Sequence, residues 1–193
     1  MLKIAIVGPE SSGKTTLAEA LMYHYKGLFV SEVAREYLAE LDRPYEEQDL
    51  LSIARSLQEL HAGAADMARE QEALMGGPPL REPGPIRTPI FYDTDTLNMR
   101  IWSLEKYGRV HPEIDAMVRD TVYTWRLLCR PDIPWEHDPL RENPHDRDRL
   151  FDVWVREMKT LDLRYTIIEG TPEQRMRTAM DMVDVLIQSL SMQ

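Results

Sequence analysis

The residues from Gly8 to Thr16, GPESSGKTT, have the types and the spacing that bind phosphate groups. They fit the pattern G-x-x-x-x-G-K-[ST], in which Gly13 is the second glycine, Lys14 the cation and Thr15 the hydroxyl. In such loops the backbone N–H groups surround the phosphates, the lysine reaches the β- and γ-phosphates, and the hydroxyl ligates Mg²⁺. The pattern therefore predicts a site for ATP and Mg²⁺.

The segments on either side of this loop are those that the motif requires. Residues 3–7, KIAIV, are typical of a buried strand, and Leu17 and Leu21 begin a pattern with helical spacing. We expect the N–H groups of residues 10–15 to surround the phosphates at the N-terminus of that helix. The predicted nucleotide-binding residues are Gly8, Glu10, Ser11, Ser12, Gly13, Lys14, Thr15 and Thr16.

Three carboxylates follow predicted strands and are candidates for the chemistry. Glu32 follows the apolar run LFVS, and Asp93 and Asp95 end the segment PIFYDTDT. Ligands of parallel α/β sheets bind at the carboxyl ends of the strands, so we expect all three acids to face the γ-phosphate. Asp93 is the predicted Mg²⁺ ligand beside Thr15. Asp95 and Glu32 are alternatives for the carboxylate that orients the acceptor hydroxyl and takes its proton.

Strand and helix patterns alternate along the rest of the chain. Two further strands are predicted within VYTWRLLC and LRYTIIEG, and a long amphipathic helix is predicted over residues 46–75. This alternation predicts an α/β three-layer sandwich around a five-stranded parallel sheet. With 193 residues, 43% of them hydrophobic, we expect residues 1–193 to form a single domain.

A polar, proline-rich segment separates the fourth and fifth predicted strands. We expect residues 131–149 to form a mobile lid, because helical periodicity resumes only at Leu150. Lids of this kind close over bound phosphates, and their arginines stabilise the charge that develops there. The candidate arginines are Arg141 and Arg147, with Arg149 as a third choice.

The composition restricts the class of protein. Thirty-three acidic and twenty-three basic residues give a formal net charge of −10, which disfavours nucleic acid as a partner. No stretch approaches 18 apolar residues, so we expect no membrane association, and the lone Cys129 suits a reducing cytosol. The five histidines lack zinc-binding spacing. We therefore expect a cytoplasmic protein that binds a small anionic ligand.

Other nucleotide-binding proteins share the phosphate loop but differ in their remaining motifs. A GTPase switch requires N-K-x-D and D-x-x-G, and neither occurs in the sequence. A motor or an AAA+ ring requires more length and an additional helical domain. A chain of this length with a lid insertion is more typical of a small-molecule kinase, with the P-loop fold of the nucleoside-monophosphate kinases.

Several segments together resemble a known family. GPESSGKTTLAEAL, EVAREYL, YDTDTLNMRIW, KYGRVHP and WEHDPLRENPHDRDRLF are similar, in order and spacing, to the ribosylnicotinamide kinase domain of NadR proteins. The resemblance spans nearly the whole chain. It implies transfer of the ATP γ-phosphate to the 5′-hydroxyl of nicotinamide riboside, which gives nicotinamide mononucleotide for NAD salvage. The adenylyltransferase motif H-x-G-H does not occur in the sequence, so phosphorylation without adenylation is expected.

The resemblance also implies roles for individual residues. Acids matching Glu32, Asp93 and Asp95 surround the riboside and the metal, and Arg35 lies near the transferred phosphate or the acceptor. Ser31 departs from the family pattern, in which we expect an aromatic residue that stacks on the pyridinium ring. The aromatic residues that could stack in its place are Tyr92, Trp102 and Tyr107, although core packing is the favoured role for Trp102.

Two classes of function are compatible with these patterns. One is a kinase for nicotinamide riboside, another nucleoside or a small metabolite. The other is a regulator that binds ATP or hydrolyses it slowly. The acids at the strand ends and the arginines of the predicted lid favour catalysis. The sequence leaves the oligomeric state open.

Overall fold

Five short apolar runs pair into one parallel sheet, which confirms the predicted fold class. The structure, a computed structural model, describes residues 2–74, 88–138 and 145–191. Across the sheet the strands run in the order β2-β3-β1-β4-β5, with β1 in the middle. Their bounds are β1 (Lys3–Val7), β2 (Leu28–Val30), β3 (Ile90–Asp93), β4 (Trp125–Cys129) and β5 (Tyr165–Ile168).

Helices connect the strands and cover both faces of the sheet. Those in the described ranges are α1 (Lys14–Tyr25), α2 (Val33–Ala39), α3 (Glu47–Leu74), α4 (Thr96–Tyr107), α5 (Pro112–Asp120), α6 (Arg147–Thr160) and α7 (Pro172–Ser191). None of the helices in these ranges is long and apolar enough to cross a membrane.

Helix α6 begins at Arg147, two residues before the predicted end of the lid. The helical bond from the Leu150 N–H to the Asp146 carbonyl oxygen measures 3.0 Å, so Arg147 and Arg149 lie in the first turn of α6. The sequence-based boundary is wrong because this first turn is polar and the apolar periodicity starts after it. Within the predicted lid, residues 139–144 lie outside the described residues.

The two faces of the sheet carry separate apolar cores. Side chains alternate across a strand, so Phe91 packs with α1 and α7 whereas Tyr92 packs with α3, α4 and α6. A third cluster joins α2, α3, α4 and α5, with Leu50 and Met99 fully buried in it. Helices therefore lie on both sides of the sheet, as a three-layer sandwich requires.

The loop after β1 passes close to the end of β4. Gly8 has a φ of 140°, and a Cβ added there would lie 2.6 Å from the Cys129 carbonyl oxygen. Only glycine fits this close approach of two backbones. All strands are parallel, so the loops that follow β1, β2 and β3 meet at the same edge of the sheet.

A buried ion pair lies beneath this edge. Asp95 caps α4, and its Oδ1 accepts a hydrogen bond of 3.0 Å from the Leu97 N–H. Its Oδ2 accepts a bond of 2.7 Å from Nε of Arg126. The two charged side chains are 0% and 4% exposed. Because the pair is shielded from water, each charge is stabilised mainly by the opposite charge of its partner.

The buried pair gives a prediction for stability. Asp95→Ala should lower the free energy of unfolding by about 3–5 kcal/mol, because the Arg126 charge would stay buried without a counter-charge. Urea denaturation measures the change. Asp152→Ala, on the exposed face of α6, is the matched control and should change stability by no more than about 0.5 kcal/mol. An Asp95 variant as stable as this control would contradict the prediction.

Candidate active site

A cavity of about 560 Å³ opens at the carboxyl edge of the sheet. Residues 8–16, the whole predicted phosphate loop, line the cavity. Residues from other elements also line it, among them Glu32, Arg35, Trp102 and Arg149. The volume is in the range of sites for nucleotide-sized ligands.

Four side chains donate hydrogen bonds to carbonyl groups of the phosphate loop. Pro9 O accepts bonds of 2.9 Å from Lys14 Nζ and 2.7 Å from Ser12 Oγ. The carbonyls of Ser11 and Ser12 accept bonds, each of 2.9 Å, from the guanidinium groups of Arg147 and Arg175. The C=O and N–H of a planar trans peptide point in opposite directions, so these contacts turn the loop N–H groups away from the arginines. N–H groups arranged in this way can bind an anion.

Thr15 and Asp93 form the pair predicted to ligate Mg²⁺. The Thr15 hydroxyl donates a hydrogen bond of 2.6 Å to Asp93 Oδ2. Asp93 is buried, and its Oδ1 has no hydrogen-bond partner within the described part of the chain. Burial raises the pKa of Asp93, and the Thr15 hydrogen bond and the Lys14 charge partly offset that rise. An unsatisfied carboxylate oxygen beside a hydroxyl fits a hard cation, so the residues present suit Mg²⁺.

Glu32 lines the same cavity as the phosphate loop. It precedes α2 as the N-cap residue, yet its side chain makes no capping hydrogen bond. Burial raises the pKa of Glu32, while the Lys14 ammonium opposes the rise and the Asp93 carboxylate adds to it. A carboxylate with a raised pKa is a stronger base than an ordinary glutamate, which suits proton transfer.

Arg35 lies in the first turn of α2, three residues after Glu32, and also lines the cavity. Its Nη1 donates a hydrogen bond of 2.6 Å to Asp138 Oδ2, and this bond raises the pKa of the guanidinium. Because the Arg35 side chain is 50% exposed, the ion pair contributes little to stability. Arg35 can therefore exchange Asp138 for an anionic ligand at small cost.

Among the described residues, five predicted site residues do not line the cavity. Asp93 and Arg147 contact the phosphate loop, whereas Asp95, Tyr92 and Tyr107 lie elsewhere. Asp95 is bonded to Leu97 and Arg126, so the expectation that it faces the γ-phosphate is not met. Tyr92 is fully buried, and its ring centroid lies 4.3 Å from that of His61, because alternation along β3 points it toward α3. Tyr107 packs against the cluster that contains Leu50. Trp102, by contrast, lines the cavity.

The predicted lid arginines have different positions. Arg147 donates to the carbonyls of Ser11 and Ile133 and lies 5.5 Å from the Trp135 ring centroid, so it contacts the back of the loop. Arg149 lines the cavity and pairs with Glu105 and Asp146. Arg141 lies outside the described residues.

Two features of the site were not predicted. Tyr45 lines the cavity beside Trp102, with ring centroids 6.1 Å apart, and the Lys106 ammonium lies 3.2 Å from the Tyr45 centroid. Tyr45 sits in a polar connection, where no periodicity marks it. Arg175 and Ala179 are four residues apart and both lie on the buried face of α7. An arginine on the apolar face of a helix indicates a buried polar contact, so the sequence did contain a signal for Arg175.

Comparison with known proteins assigns the chain to a family. A family model described as an AAA domain matches residues 3–175. The chain belongs to this AAA domain family. The AAA domain match includes the phosphate loop and every described strand. This match identifies the type of domain and does not test whether the protein forms a ring. The expectation that it is not an AAA+ ring, which was based on chain length, therefore stays a prediction.

Curated relatives of this AAA domain include two NadR proteins. The trifunctional NAD biosynthesis/regulator protein NadR of Salmonella typhimurium is 25% identical over an aligned length of 174 residues, and the match covers 86% of this chain and 38% of that protein. The NadR protein of Escherichia coli is 23% identical, and the match again covers 86% of this chain and 38% of that protein. The chain therefore spans less than half the length of these relatives.

Solved structures show the same fold. A NadR protein in complex with NAD and AMP-PNP superimposes with a TM-score of 0.69 at 18% identity, covering 93% of this chain and 48% of that one. A NadR protein in complex with NR superimposes with a TM-score of 0.67 at 19% identity, covering 94% of this chain and 50% of that one. Thymidylate kinase from Ehrlichia chaffeensis superimposes with a TM-score of 0.59 at 16% identity, covering 96% of this chain and 98% of that one. This AAA domain thus has the fold of P-loop nucleoside and nucleotide kinases.

The loop geometry gives a prediction for nucleotide binding. Lys14→Ala should weaken the affinity for AMP-PNP with Mg²⁺ about tenfold to a hundredfold, because a charged hydrogen-bond donor would be lost. Isothermal titration calorimetry measures the affinity. Lys26→Ala, at the far end of α1, is the matched control. Wild-type affinity in a folded Lys14 variant would contradict the assignment of the loop.

Proposed function

We propose that the protein is an ATP-dependent kinase that phosphorylates the 5′-hydroxyl of nicotinamide riboside. The supporting observation is that the phosphate loop and Glu32 line the same cavity, close enough for the Lys14 ammonium to act on the Glu32 carboxylate. A donor site and a proton acceptor in one cavity are the two parts that phosphoryl transfer requires. The similarity to NadR, which has been solved with NR, favours this acceptor.

The chain's own residues would share the work as follows. The loop N–H groups and Lys14 bind the triphosphate of ATP, and Thr15 with Asp93 would hold Mg²⁺. When bound, Mg²⁺ neutralises charge on the β- and γ-phosphate oxygens. Glu32 accepts the proton of the 5′-hydroxyl as its oxygen bonds to the γ-phosphorus. The bond between that phosphorus and the bridging oxygen breaks, and ADP leaves.

The aromatic wall supplies a surface for the base of the acceptor. Ser31 is exposed and offers no ring, whereas Tyr45 and Trp102 lie together in the cavity wall. A cationic pyridinium ring gains about 0.5–2 kcal/mol from contact with an aromatic face. These two side chains, rather than a residue beside Glu32, would therefore contact nicotinamide.

Lys106 favours a second candidate, a kinase for a nucleoside with a neutral or acidic base. Its ammonium lies 3.2 Å from the Tyr45 ring centroid and donates a hydrogen bond of 3.0 Å to the Tyr45 carbonyl oxygen. A cation therefore already occupies one face of this ring. It would repel a pyridinium ring at the same place and attract a carboxylate or carbonyl group.

Lys106→Met separates the two candidates. The substitution should raise kcat/KM for nicotinamide riboside relative to nicotinate riboside, whose ring carries a carboxylate, by up to about fivefold, since a charge contact near the surface is worth up to about 1 kcal/mol. Steady-state ADP release measures both substrates. Lys159→Met, exposed at the end of α6, is the matched control. An unchanged ratio would exclude Lys106 from the acceptor site.

Glu32 gives the prediction for catalysis. The wild-type protein should phosphorylate nicotinamide riboside at about 1–100 s⁻¹, as kinases usually do. Glu32→Gln should lower kcat about 10²- to 10⁴-fold, because the proton acceptor is lost. Because burial raises the pKa of Glu32, the acid limb of kcat/KM should lie above the ordinary glutamate pKa of about 4.3, and the Gln variant should lose this limb.

Two comparisons test this prediction. Glu36→Gln, one turn further along α2 and exposed, should keep wild-type kinetics. A Glu32→Gln variant with an unchanged kcat would remove Glu32 as the base. ADP formation with another nucleoside but not with nicotinamide riboside would keep the kinase and discard this acceptor. If no riboside supports ADP formation, the regulator is the better description.

A further inference from the structure

Arg175 is a buried arginine that contacts three separate loops. It is 6% exposed. Nε donates 3.1 Å to Gly170 O, Nη1 donates 2.9 Å to Ser12 O, and Nη2 donates 2.5 Å to Arg130 O. Nη2 also donates to the Asp132 carboxylate. Each nitrogen of the guanidinium therefore has at least one acceptor.

The acceptors belong to different parts of the chain. Ser12 lies in the phosphate loop after β1, Arg130 and Asp132 follow β4, and Gly170 follows β5. Asp132 strengthens the link, because its Oδ2 accepts a hydrogen bond of 2.7 Å from the Gly170 N–H. One side chain thus joins three loops at the carboxyl edge of the sheet.

A second arginine supports the loop in the same way. Arg147 donates to Ser11 O at 2.9 Å and to Ile133 O at 3.1 Å. Consecutive carbonyls of the phosphate loop are therefore each bonded to a guanidinium, and each guanidinium also contacts the segment after β4. The loop and residues 130–133 are connected at two points.

Burial of a guanidinium is costly unless its donors are satisfied. Arg175 meets this condition only with the loop in its observed shape, since Ser12 O is one of its acceptors. Lysine could not reproduce the arrangement, because an ammonium lacks the planar fork that reaches acceptors on several sides. Arg175 is absent from the cavity lining in the described part of the chain, so it would not touch the nucleotide.

We propose that Arg175 is a positioning residue that sets the conformation of the phosphate loop and links it to the segment that follows β4. By fixing Ser12 O, it would direct the N–H of the same peptide toward the phosphates. Nucleotide affinity then depends on a side chain that lies behind the loop. The proposal rests on the nucleotide-binding part of the proposed function and is independent of the acceptor.

Titration of AMP-PNP with Mg²⁺ into Arg175→Lys and Arg175→Gln tests the proposal. Both variants should bind about tenfold to a hundredfold more weakly than wild type, since a charged donor to the loop is lost or displaced. Hydrogen exchange at residues 10–13 should be faster in both variants before nucleotide is added. Arg177→Gln, two residues further along α7 and exposed, is the matched control and should behave as wild type.

A merely structural role gives a different result. It predicts a lower Tm with unchanged AMP-PNP affinity and loop exchange in the folded protein, and that outcome would overturn the proposal. Should both Arg175 variants fail to fold, Asp132→Asn decides, because it weakens the same link without removing the buried charge. Wild-type affinity and exchange in Asp132→Asn would also overturn the proposal.

AMP-PNP binding needs no acceptor, so the two proposals can fail separately. A wild-type protein that binds AMP-PNP but phosphorylates no riboside would contradict the proposed kinase and leave the role of Arg175 intact. Full AMP-PNP affinity in Arg175→Lys, together with normal riboside phosphorylation, would contradict the role of Arg175 alone.

Discussion

The phosphate loop depends on hydrogen bonds to its carbonyl groups. An anion site made of N–H groups requires the carbonyls of the same peptides to point elsewhere, and those carbonyls need partners because the loop is packed against the sheet. Lys14, Arg147 and Arg175 supply these partners from three different helices. The conformation of this short loop therefore depends on the positions of three helices, two of which are far from it in the sequence.

The same constraint explains the surroundings of the loop. Gly8 lets the backbone pass within contact of Cys129, and Thr15 is tied to Asp93 at the end of the neighbouring strand. A chain of net charge −10 can still offer an anion site, because local cations dominate over short distances. Arg35, Lys106 and Arg149 bring further positive charge to the cavity wall.

The sequence predicted the features that local patterns encode. The phosphate loop, the five strands and their parallel arrangement follow from motif spacing and from the alternation of strands and helices. Glu32 and Trp102, which the sequence analysis named as candidates, both line the cavity, because one follows a strand end and the other lies on the helix after β3. Their roles in catalysis and acceptor binding stay predictions.

The errors have physical causes that spacing alone does not reveal. Asp95 lies only two residues beyond Asp93, but there the chain has already started a helix, and the carboxylate caps it. Tyr92 precedes Asp93 and points to the opposite face of the sheet. Tyr45 and Arg175 reach the site through tertiary contacts with distant elements. No local sequence pattern predicts the position of Tyr45. The only local signal for Arg175 is that a charged residue stands in the apolar stripe of a helix.

The fate of the ATP γ-phosphoryl group tests the kinase assignment most directly. Phosphorus NMR of the protein with ATP, Mg²⁺ and nicotinamide riboside distinguishes a phosphate monoester from inorganic phosphate. A cavity lined by both Glu32 and the phosphate loop predicts that the γ-phosphate signal is replaced by that of a 5′-phosphomonoester. Inorganic phosphate as the sole product, formed equally with and without the riboside, would contradict a kinase.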